Sequence, residues 1–363
     1  EATKNRVEGE ARFLRALYYF TLVNLYADPY VSSKAATTPG VPLKLTSYVE
    51  DKEYNNNTVA EVYEQIIKDL NGAIDCLSKT TRKSIYRADL TTAYLLTARV
   101  YLYMQDYPNA RKYAQFVLDR NDALTDLNLF TGTDNVFTSD NPEVIFSMGG
   151  HFLTNYIYGQ DDYEDEYPFY ISEDLIEAFD AKDLRKKFYI SEEEYGYYYK
   201  KIYWGRAHWG AACSVSDNFL FRTSEAYLIL AEACAFDNAE DIARQLLGQL
   251  QSKRFDSTPT VNETGNTLID LIRLERQREL CLEGHRWYDL RRYTVCEKYP
   301  WSKAIRHLYT DYDSRWNAER VRLFELEPYD KAYTLAFPKE VLDFQNTLNT
   351  NNRPERLPIE ESN

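Results

Sequence analysis

The chain has 363 residues, and its 57 acidic residues outweigh 43 basic ones to give a net charge of −14. A phosphate backbone or an anionic bilayer is a poor partner for such a surface, so the charge disfavours nucleic acid and membrane headgroups as ligands. The hydrophobic 44% is dispersed and no transmembrane segment is apparent. Length permits one to three domains, and no linker divides the chain.

The first part of the chain is predicted to be helical. Residues 7–26 and 58–77 keep the apolar spacing of helices and are predicted to pair. Residues 91–118 indicate two further helices joined by a tight turn. Ala98 and Ala110 are small enough to let these two helices approach closely, so this segment is predicted to be a helical hairpin.

A tetratricopeptide pattern runs through this hairpin and returns later. Tyr94, Ala98, Tyr101 and Ala110 have its spacing, and the same template recurs within residues 220–250. The repeat tyrosines, Tyr18 and Tyr19 among them, are expected in the core. Because such repeats bury their faces against neighbours, we predict a mostly α fold in which the repeats form one curved body. The predicted repeat segments are residues 7–77, 91–118, 220–250 and 268–292.

A long insertion, residues 119–218, interrupts the repeats and is rich in Asp, Asn, Gly and aromatic residues. Residues 143–148 and 187–203 within it have the spacing of short β-strands. Insertions of this kind fall on one face of a repeat protein, often the binding face. We therefore predict a loop-rich insertion with short strands that carries the ligand site.

Aromatic residues in this insertion are the candidate ligand contacts. They follow neither helical nor strand spacing, whereas a tyrosine ring offers a flat apolar face and a hydroxyl that suit stacking on a sugar. The alternative is that these rings pin the loop to the body. The predicted ligand-binding residues are Asn155, Tyr156, Tyr158, Tyr163, Tyr167, Trp204, Arg206 and Trp209.

Residues 274–293, LERQRELCLEGHRWYDLRRY, are predicted to be a charge-dense helix with a glycine break. Glu275, Glu279 and Glu283 recur at i, i+4 and i+8, which places three carboxylates along one side of a helix. Arginines of the same stretch are available as counter-charges. We therefore predict that these glutamates form structural ion pairs that dock the helix, and that they are not an acid/base or metal site. These arginines are Arg276, Arg278, Arg286, Arg291 and Arg292.

Other chemistry has little support in the sequence. The five cysteines form no CxxC pair, and Cys76, Cys234 and Cys281 are predicted to be small buried hydrophobes. No phosphate-binding loop, nucleophile elbow or zinc motif occurs, and no cofactor or metal is predicted. The acidic run 161–166 could hold Ca²⁺ through carboxylates, but it lacks the spacing of an EF-hand.

Two ordered signatures about 250 residues apart resemble those of the SusD/RagB family. The first, within residues 10–30, resembles "ARFLRA.YYF.L...FG..P", although Ala27-Asp28 replaces the expected glycine before Pro29. The second resembles "ER..EL..EG.R..DL.R" and begins at Glu275-Arg276. Asp183-Leu184-Arg185 is a weaker echo, and the family's ending "NP.L.QNPGY" is only loosely matched.

This resemblance implies one SusD-like domain over residues 1–363 that captures oligosaccharide without cleaving it. It further implies a lipid-anchored protein on the outer membrane that delivers ligand to a TonB-dependent barrel transporter. A leader and an amino-terminal segment would then precede Glu1. Two alternatives remain: an α-helical glycoside hydrolase, which needs two carboxylates across a cleft, and a repeat scaffold that binds a peptide or protein in a groove.

Overall fold

The computed structural model describes the chain except residues 133–134, 150–170, 194–195, 203–214, 217, 219, 314, 316 and 363. Helices dominate the described residues. They are α1 (Ala2–Tyr26), α2 (Val59–Leu77), α3 (Leu90–Tyr103), α4 (Tyr107–Leu118), α5 (Glu173–Glu177), α6 (Leu184–Tyr189), α7 (Thr223–Phe236), α8 (Glu240–Gln251), α9 (Gly265–Glu279), α10 (His285–Thr294) and α11 (Lys339–Phe344), with a 3-10 turn at Lys331–Tyr333.

The described strands form small antiparallel sheets. Two are two-stranded and one is three-stranded, in the order β5-β6-β7. Their members are β1 (Val144–Phe146) with β4 (Phe221–Arg222), β2 (Ile190–Glu193) with β3 (Gly196–Tyr199), and β5 (Ile305–Tyr312) with β6 (Ala318–Leu326) and β7 (Glu360–Ser362). The predicted mostly helical fold with short strands is confirmed.

The chain divides into two compact units. The first unit comprises residues 1–16 and 67–287, and the second comprises residues 17–66 and 288–363. Each unit combines two separated stretches of the sequence, so neither could be read off as a contiguous domain. The single SusD-like domain over the whole chain stays a prediction.

The predicted hairpin of residues 91–118 is present in the first unit as α3 and α4. Asp89 caps α3 by accepting from the backbone N–H of Thr92 at 2.9 Å, and Asp106 caps α4 in the same way. Ala98 and Ala110 are fully buried, as the close approach of two helices requires. Helix α4 packs on α7, and α7 packs on α8 and α9, so the two predicted repeats are neighbours.

Aromatic rings from three elements meet in the core of the first unit. Phe13 contacts Phe146 edge-on at a centroid distance of 5.4 Å and Phe221 at 5.8 Å. The Arg99 guanidinium lies 4.4 Å from the centre of the Phe221 ring and pairs with Glu225 at 2.6 Å. A charged residue thus enters this core because the aromatic face and the carboxylate together stabilise it.

The second unit is organised by the carboxyl end of α1. Arg291 donates to the backbone carbonyls of Asn24 and Ala27, which are acceptors left over where α1 ends. Asn24 also donates to Tyr63 at 3.1 Å, and Tyr26 stacks on Phe337 at 5.2 Å. An arginine of the predicted signature therefore acts as a helix cap.

Three sequence predictions need correction. Residues 268–292 are not one helix: α9 ends at Glu279, and Leu282 (φ 60°) and Gly284 (φ 84°) turn the chain before α10. Residues 187–203 begin with the last three residues of α6, and the strand hairpin covers only residues 190–199. Tyr18 is 48% exposed, so it is not a core residue.

Candidate functional site

The predicted ligand contacts lie outside the described residues. This holds for the acidic run 161–166 as well. Asn155, Tyr156, Tyr158, Tyr163, Tyr167, Trp204, Arg206 and Trp209 therefore stay predictions.

The described residues of the insertion that flank the undescribed segments are hydrogen-bonded to one another and buried. The Ser147 hydroxyl accepts from the backbone N–H of Ser216 at 2.8 Å, and the N–H of Ile171 donates to the carbonyl of Tyr197 at 3.4 Å. Ile202 and Val215 are buried in the same hydrophobic cluster as Ile171. A rigid base of this kind is what a binding loop requires.

A buried ion cluster in the first unit centres on Glu279. Each of its carboxylate oxygens accepts two donors: Oε2 accepts from Arg185 at 3.1 Å and Arg254 Nε at 2.8 Å, and Oε1 from Arg222 at 2.8 Å and Arg254 Nη2 at 2.9 Å. All four side chains are fully buried. Such charge-assisted bonds in a low-dielectric interior are strong and fix side-chain positions.

The cluster joins elements that are far apart in sequence. Arg222 also pairs with Glu143 at 2.6 Å and with Glu283 at 2.7 Å, and Lys201 donates to Glu283. Arg185 further binds Asp183 and Glu275. The buried ion cluster therefore connects β1, β4, the start of α6 and the carboxyl end of α9. Its carboxylates are Glu143, Asp183, Glu275, Glu279 and Glu283, and its cations are Arg185, Lys201, Arg222 and Arg254.

Electrostatics keep Glu279 and Glu143 ionised. Burial by itself would raise the pKa of Glu279, but Arg254 and Arg222 outweigh it and hold that pKa well below the ordinary value. The same balance of burial against Arg254 and Arg222 lowers the pKa of Glu143. A carboxylate held in this way is a poor proton donor, so neither group suits general-acid catalysis near neutral pH.

The structural role predicted for the three glutamates agrees with these contacts, but the predicted counter-charges are mostly wrong. Within the signature, Arg278 approaches Glu275 only to 3.7 Å. The strong partners come from Arg185, Arg222 and Arg254, which are 25 to 94 residues away from Glu279 along the chain. Asp183-Leu184-Arg185 was visible in the sequence as a weak family echo, which points to Arg185 but not to Arg222 or Arg254.

A surface loop of the second unit, residues 41–57, was not predicted to have a role. Lys44 donates to Glu50 at 3.0 Å, and Tyr54 donates to the same carboxylate at 2.8 Å. Hydrogen bonds from Thr46, Tyr54 and Lys44 lower the pKa of Glu50 to about 2. Tyr48 is 65% exposed beside this polar cluster. The loop thus presents an aromatic ring on a hydrogen-bonded support.

The predicted cysteines behave as expected. Cys76, Cys234 and Cys281 are free and buried. Burial raises the pKa of Cys281 to about 11, which makes its thiol unreactive at neutral pH.

The described residues offer neither a metal site nor a membrane-spanning helix. They contain no group of three or more His, Cys, Asp or Glu side chains placed to hold a metal ion. None of the helices in that part of the chain is long and apolar enough to cross a membrane.

Sequence comparison identifies the class of protein. The profile described as "SusD family" matches residues 141–356, and one described as "Starch-binding associating with outer membrane" matches residues 1–102. The chain belongs to the SusD family.

Individual relatives agree with this assignment. The chain is 27% identical to SusD-like protein P2 of Formosa agariphila, over 79% of this chain and 65% of that protein. It is 24% identical to a SusD-like protein of Bacteroides ovatus, over 80% of this chain and 59% of that protein. The chain thus spans less than two thirds of the length of these curated relatives.

Solved structures share the fold. A SusD-like carbohydrate binding protein from Bacteroides vulgatus aligns with a TM-score of 0.71 at 22% identity, over 96% of this chain and 78% of that chain. A putative sugar binding protein from the same species aligns with a TM-score of 0.73 at 24% identity, over the same shares of both chains.

Proposed function

We propose that this chain binds oligosaccharide at the cell surface without cleaving it and delivers it to a TonB-dependent outer-membrane barrel. Membership of the SusD family is the observation that carries the proposal. The match of residues 1–102 to a profile described by starch binding and outer-membrane association supports both the ligand class and the location. A lipid anchor on the full-length protein would hold it there.

The ligand contacts proposed are the aromatic residues of the insertion, with Tyr156, Tyr158, Trp204 and Trp209 as stacking surfaces. A sugar ring offers C–H faces to an aromatic plane and hydroxyls to neighbouring polar groups, which Asn155, Tyr163, Tyr167 and Arg206 would bind. Tyr48 is a further candidate because its exposed ring has hydrogen-bonding side chains beside it.

The glycoside hydrolase alternative finds no support in the buried ion cluster. Glu275, Glu279 and Glu283 have no exposed side-chain surface and are bridged by cations, so a glycosidic oxygen could not reach them. The peptide-binding scaffold makes a different prediction from ours: its affinity would depend on the repeat helices and not on the aromatic loops.

A glycan array on the purified chain, followed by calorimetric titration with the best oligosaccharide, tests the proposal. Tyr156→Ala and Trp204→Ala should each weaken binding by about 1–3 kcal/mol, borrowing the scale of base-stacking losses, and leave the melting temperature unchanged. Tyr329→Ala is the matched control, since Tyr329 is 65% exposed in the second unit. If every loop variant bound normally, the ligand site would have to lie elsewhere in the protein. If no glycan on the array bound, the proposal of glycan binding would be rejected.

The location is tested on the full-length protein with its leader. It should fractionate with outer membranes, be labelled by a lipid precursor and co-purify with a large barrel protein. A mature protein recovered from the cytoplasm would refute the surface location, and recovery from the membrane without a barrel would refute the delivery step.

A further inference from the structure

Two apolar side chains of the second unit are exposed almost completely. Val49, in the loop of residues 41–57, is 98% exposed, and Phe344, at the end of α11, is 84% exposed. Leu45 and Val341 are exposed near them in the sequence, at 46% and 40%. A single exposed apolar residue is common, whereas several on one surface mark an interaction site.

Hydrogen bonds bring the two segments together within the second unit. Gln345 Oε1 accepts from the backbone N–H of Tyr54 at 2.6 Å, and Gln345 Nε2 donates to the carbonyl of Lys52 at 3.5 Å. Phe344 directly precedes Gln345. Val49 precedes Lys52 by three residues, so at most about 10 Å of chain separates Val49 from this contact. The four exposed residues therefore lie in one region, the apolar patch, which consists of Leu45, Val49, Val341 and Phe344.

The loop half of the apolar patch is held in shape by its own side chains. Lys44 Nζ donates to the backbone carbonyl of Tyr48 at 2.6 Å and to Glu50 at 3.0 Å, and Tyr54 donates to Glu50 at 2.8 Å. Two of the patch residues lie within the segment that these bonds close. A loop fixed in this way loses little conformational entropy when a partner covers it.

Carboxylates accompany the apolar patch on both segments. Lys44 and Lys52 both pair with Glu50, and Lys339 is exposed. Five acidic residues thus stand against three lysines, and four of the five are exposed and form no ion pair with another described residue. These four are Asp51, Glu53, Glu340 and Asp343.

The charge of this region selects among the occupants that could cover the apolar patch. A second copy of the chain would bring the same carboxylates and a net charge of −14, and an anionic bilayer is negative as well, so both would be repelled. A protein surface with an apolar groove flanked by lysine or arginine matches both the apolar residues and the carboxylates.

From this juxtaposition we propose that the apolar patch is the surface by which this chain contacts its barrel partner, which would receive Val49 and Phe344 in an apolar groove flanked by basic residues. The inference deepens the proposed function, on which it rests for the identity of the partner. It adds the docking surface and the chemistry of the partner's complementary surface.

Site-specific photo-crosslinking in cells that make the full-length protein tests the contact. p-Benzoylphenylalanine is placed at Val49 or at Phe344, with Leu357 as the matched control because it is 74% exposed in the same unit, beside β6. The first two positions should crosslink to an outer-membrane barrel identified by mass spectrometry, at peptides that contain lysine or arginine, and Leu357 should not. Crosslinks to lipid, to a second copy or within the protein's own chain would overturn the proposal, as would equal crosslinking from Leu357.

Charge substitutions measure the same contact. Val49→Asp and Phe344→Asp should each reduce the barrel recovered with the tagged full-length protein by about tenfold or more, since a carboxylate would enter the apolar groove unpaired. Leu357→Asp should leave the recovery unchanged, and thermal melts should show all three variants folded because the three side chains are exposed. Asp51→Lys combined with Asp343→Lys should weaken recovery at low salt and less so at high salt.

The outcomes separate this inference from the proposed function. If the wild-type protein recovered no barrel, the delivery step itself would be refuted and this contact with it. If the wild type, Val49→Asp and Phe344→Asp recovered the barrel equally, only the assignment of the surface would be rejected. Calorimetry of Phe344→Asp with the oligosaccharide selected on the array should give the wild-type affinity, and a loss would show that this surface serves the glycan and not the barrel.

Discussion

Replacing Glu279 by glutamine tests whether the buried ion cluster is structural. Glutamine keeps one acceptor oxygen, but its amide nitrogen must take the place of the other. Because each carboxylate oxygen accepts two donors, the new NH₂ faces two guanidinium N–H groups whichever way the amide turns. The variant therefore loses two charge-assisted hydrogen bonds and leaves three buried arginines with one carboxylate fewer.

The expected cost follows from these losses. Each charge-assisted bond contributes about 1.5–3 kcal/mol to stability, so the loss of two agrees with the roughly 3–5 kcal/mol lost when one partner of a buried pair is removed. For a unit of this size that corresponds to a fall of about 6–20 °C in melting temperature. Urea unfolding followed by circular dichroism gives the free energy, and thermal melts give the temperature.

Glu8→Gln is the matched control for this measurement. Glu8 pairs with Arg12 at 2.8 Å on the surface of α1, with 41% of its side chain exposed, so its loss should cost less than about 1 kcal/mol. An unchanged stability in Glu279→Gln would refute the structural assignment. If the variant instead lost a hydrolytic activity at unchanged stability, the carboxylate would have to be reassigned to catalysis.

Two further changes probe packing and backbone. Tyr101→Ala should lower the free energy of unfolding by roughly 2 kcal/mol, because Tyr101 is half-buried and stacks on Tyr113 at 5.7 Å. This is about half the cost expected for a fully buried ring. Chemical denaturation measures the change. Gly284→Ala should lower the free energy of unfolding by about 1 kcal/mol or more, since φ is +84° and a Cβ would meet the Asn218 side chain at 2.9 Å. Gly248→Ala inside α8 should instead raise it by about 0.5–1 kcal/mol. Thermal melts of the two variants distinguish the opposite signs.

The helical hairpins could be predicted because their determinants are local. Asp89 and Asp106 stand at helix starts, and small residues such as Ala98 and Ala110 recur at the spacing of one packed face. These signals act within a few residues of each other, so a pattern in the sequence is enough to find them. The division into two units was not visible, because the stretches that are joined lie about 50 residues apart in the first unit and about 220 residues apart in the second.

The three-stranded sheet of the second unit was missed for a different reason. No residue of β5 or β6 is buried, since residues 306–309 and 318–320 are exposed and most of the others have intermediate exposure, so the alternation that marks a half-buried strand is weak. The sheet is held instead by cross-strand ion pairs such as Arg306 with Glu325 at 2.6 Å and Arg322 with Asp311 at 2.6 Å. Charged pairs of this kind look like ordinary surface residues in a sequence.

The ion-pair partners of Glu279 could not be predicted from the sequence either, since one carboxylate could pair with any of many arginines. Composition and helical spacing indicated that the signature glutamates need cations, and nearby arginines were the natural assignment. The fold decides otherwise: Arg276 approaches Glu225 and Arg291 caps α1, while Arg222 and Arg254 reach Glu279. Choosing among like charges requires the tertiary structure, which no local pattern contains.

The lowered pKa values of Glu279 and Glu143 predict how stability depends on pH. Both groups hold their protons less tightly in the folded protein than in the unfolded chain, where a glutamate titrates near about 4.3. Their contribution is therefore complete above that pH and is lost as the pH falls towards the folded values, at up to about 1.4 kcal/mol per pH unit for each group.

Urea unfolding at a series of pH values from neutral to acid should thus show a free energy of unfolding that declines steeply on the acid side. Glu279→Gln removes one titrating group, so its profile should start lower and fall less steeply, whereas Glu8→Gln should follow the wild-type curve. Equal acid slopes in wild type and Glu279→Gln would contradict the account, because they would mean that Glu279 binds its proton alike in the folded and unfolded states. A stability that rose on acidification would contradict it more directly, since it would require cluster carboxylates whose pKa values are raised by burial and not lowered by Arg254 and Arg222.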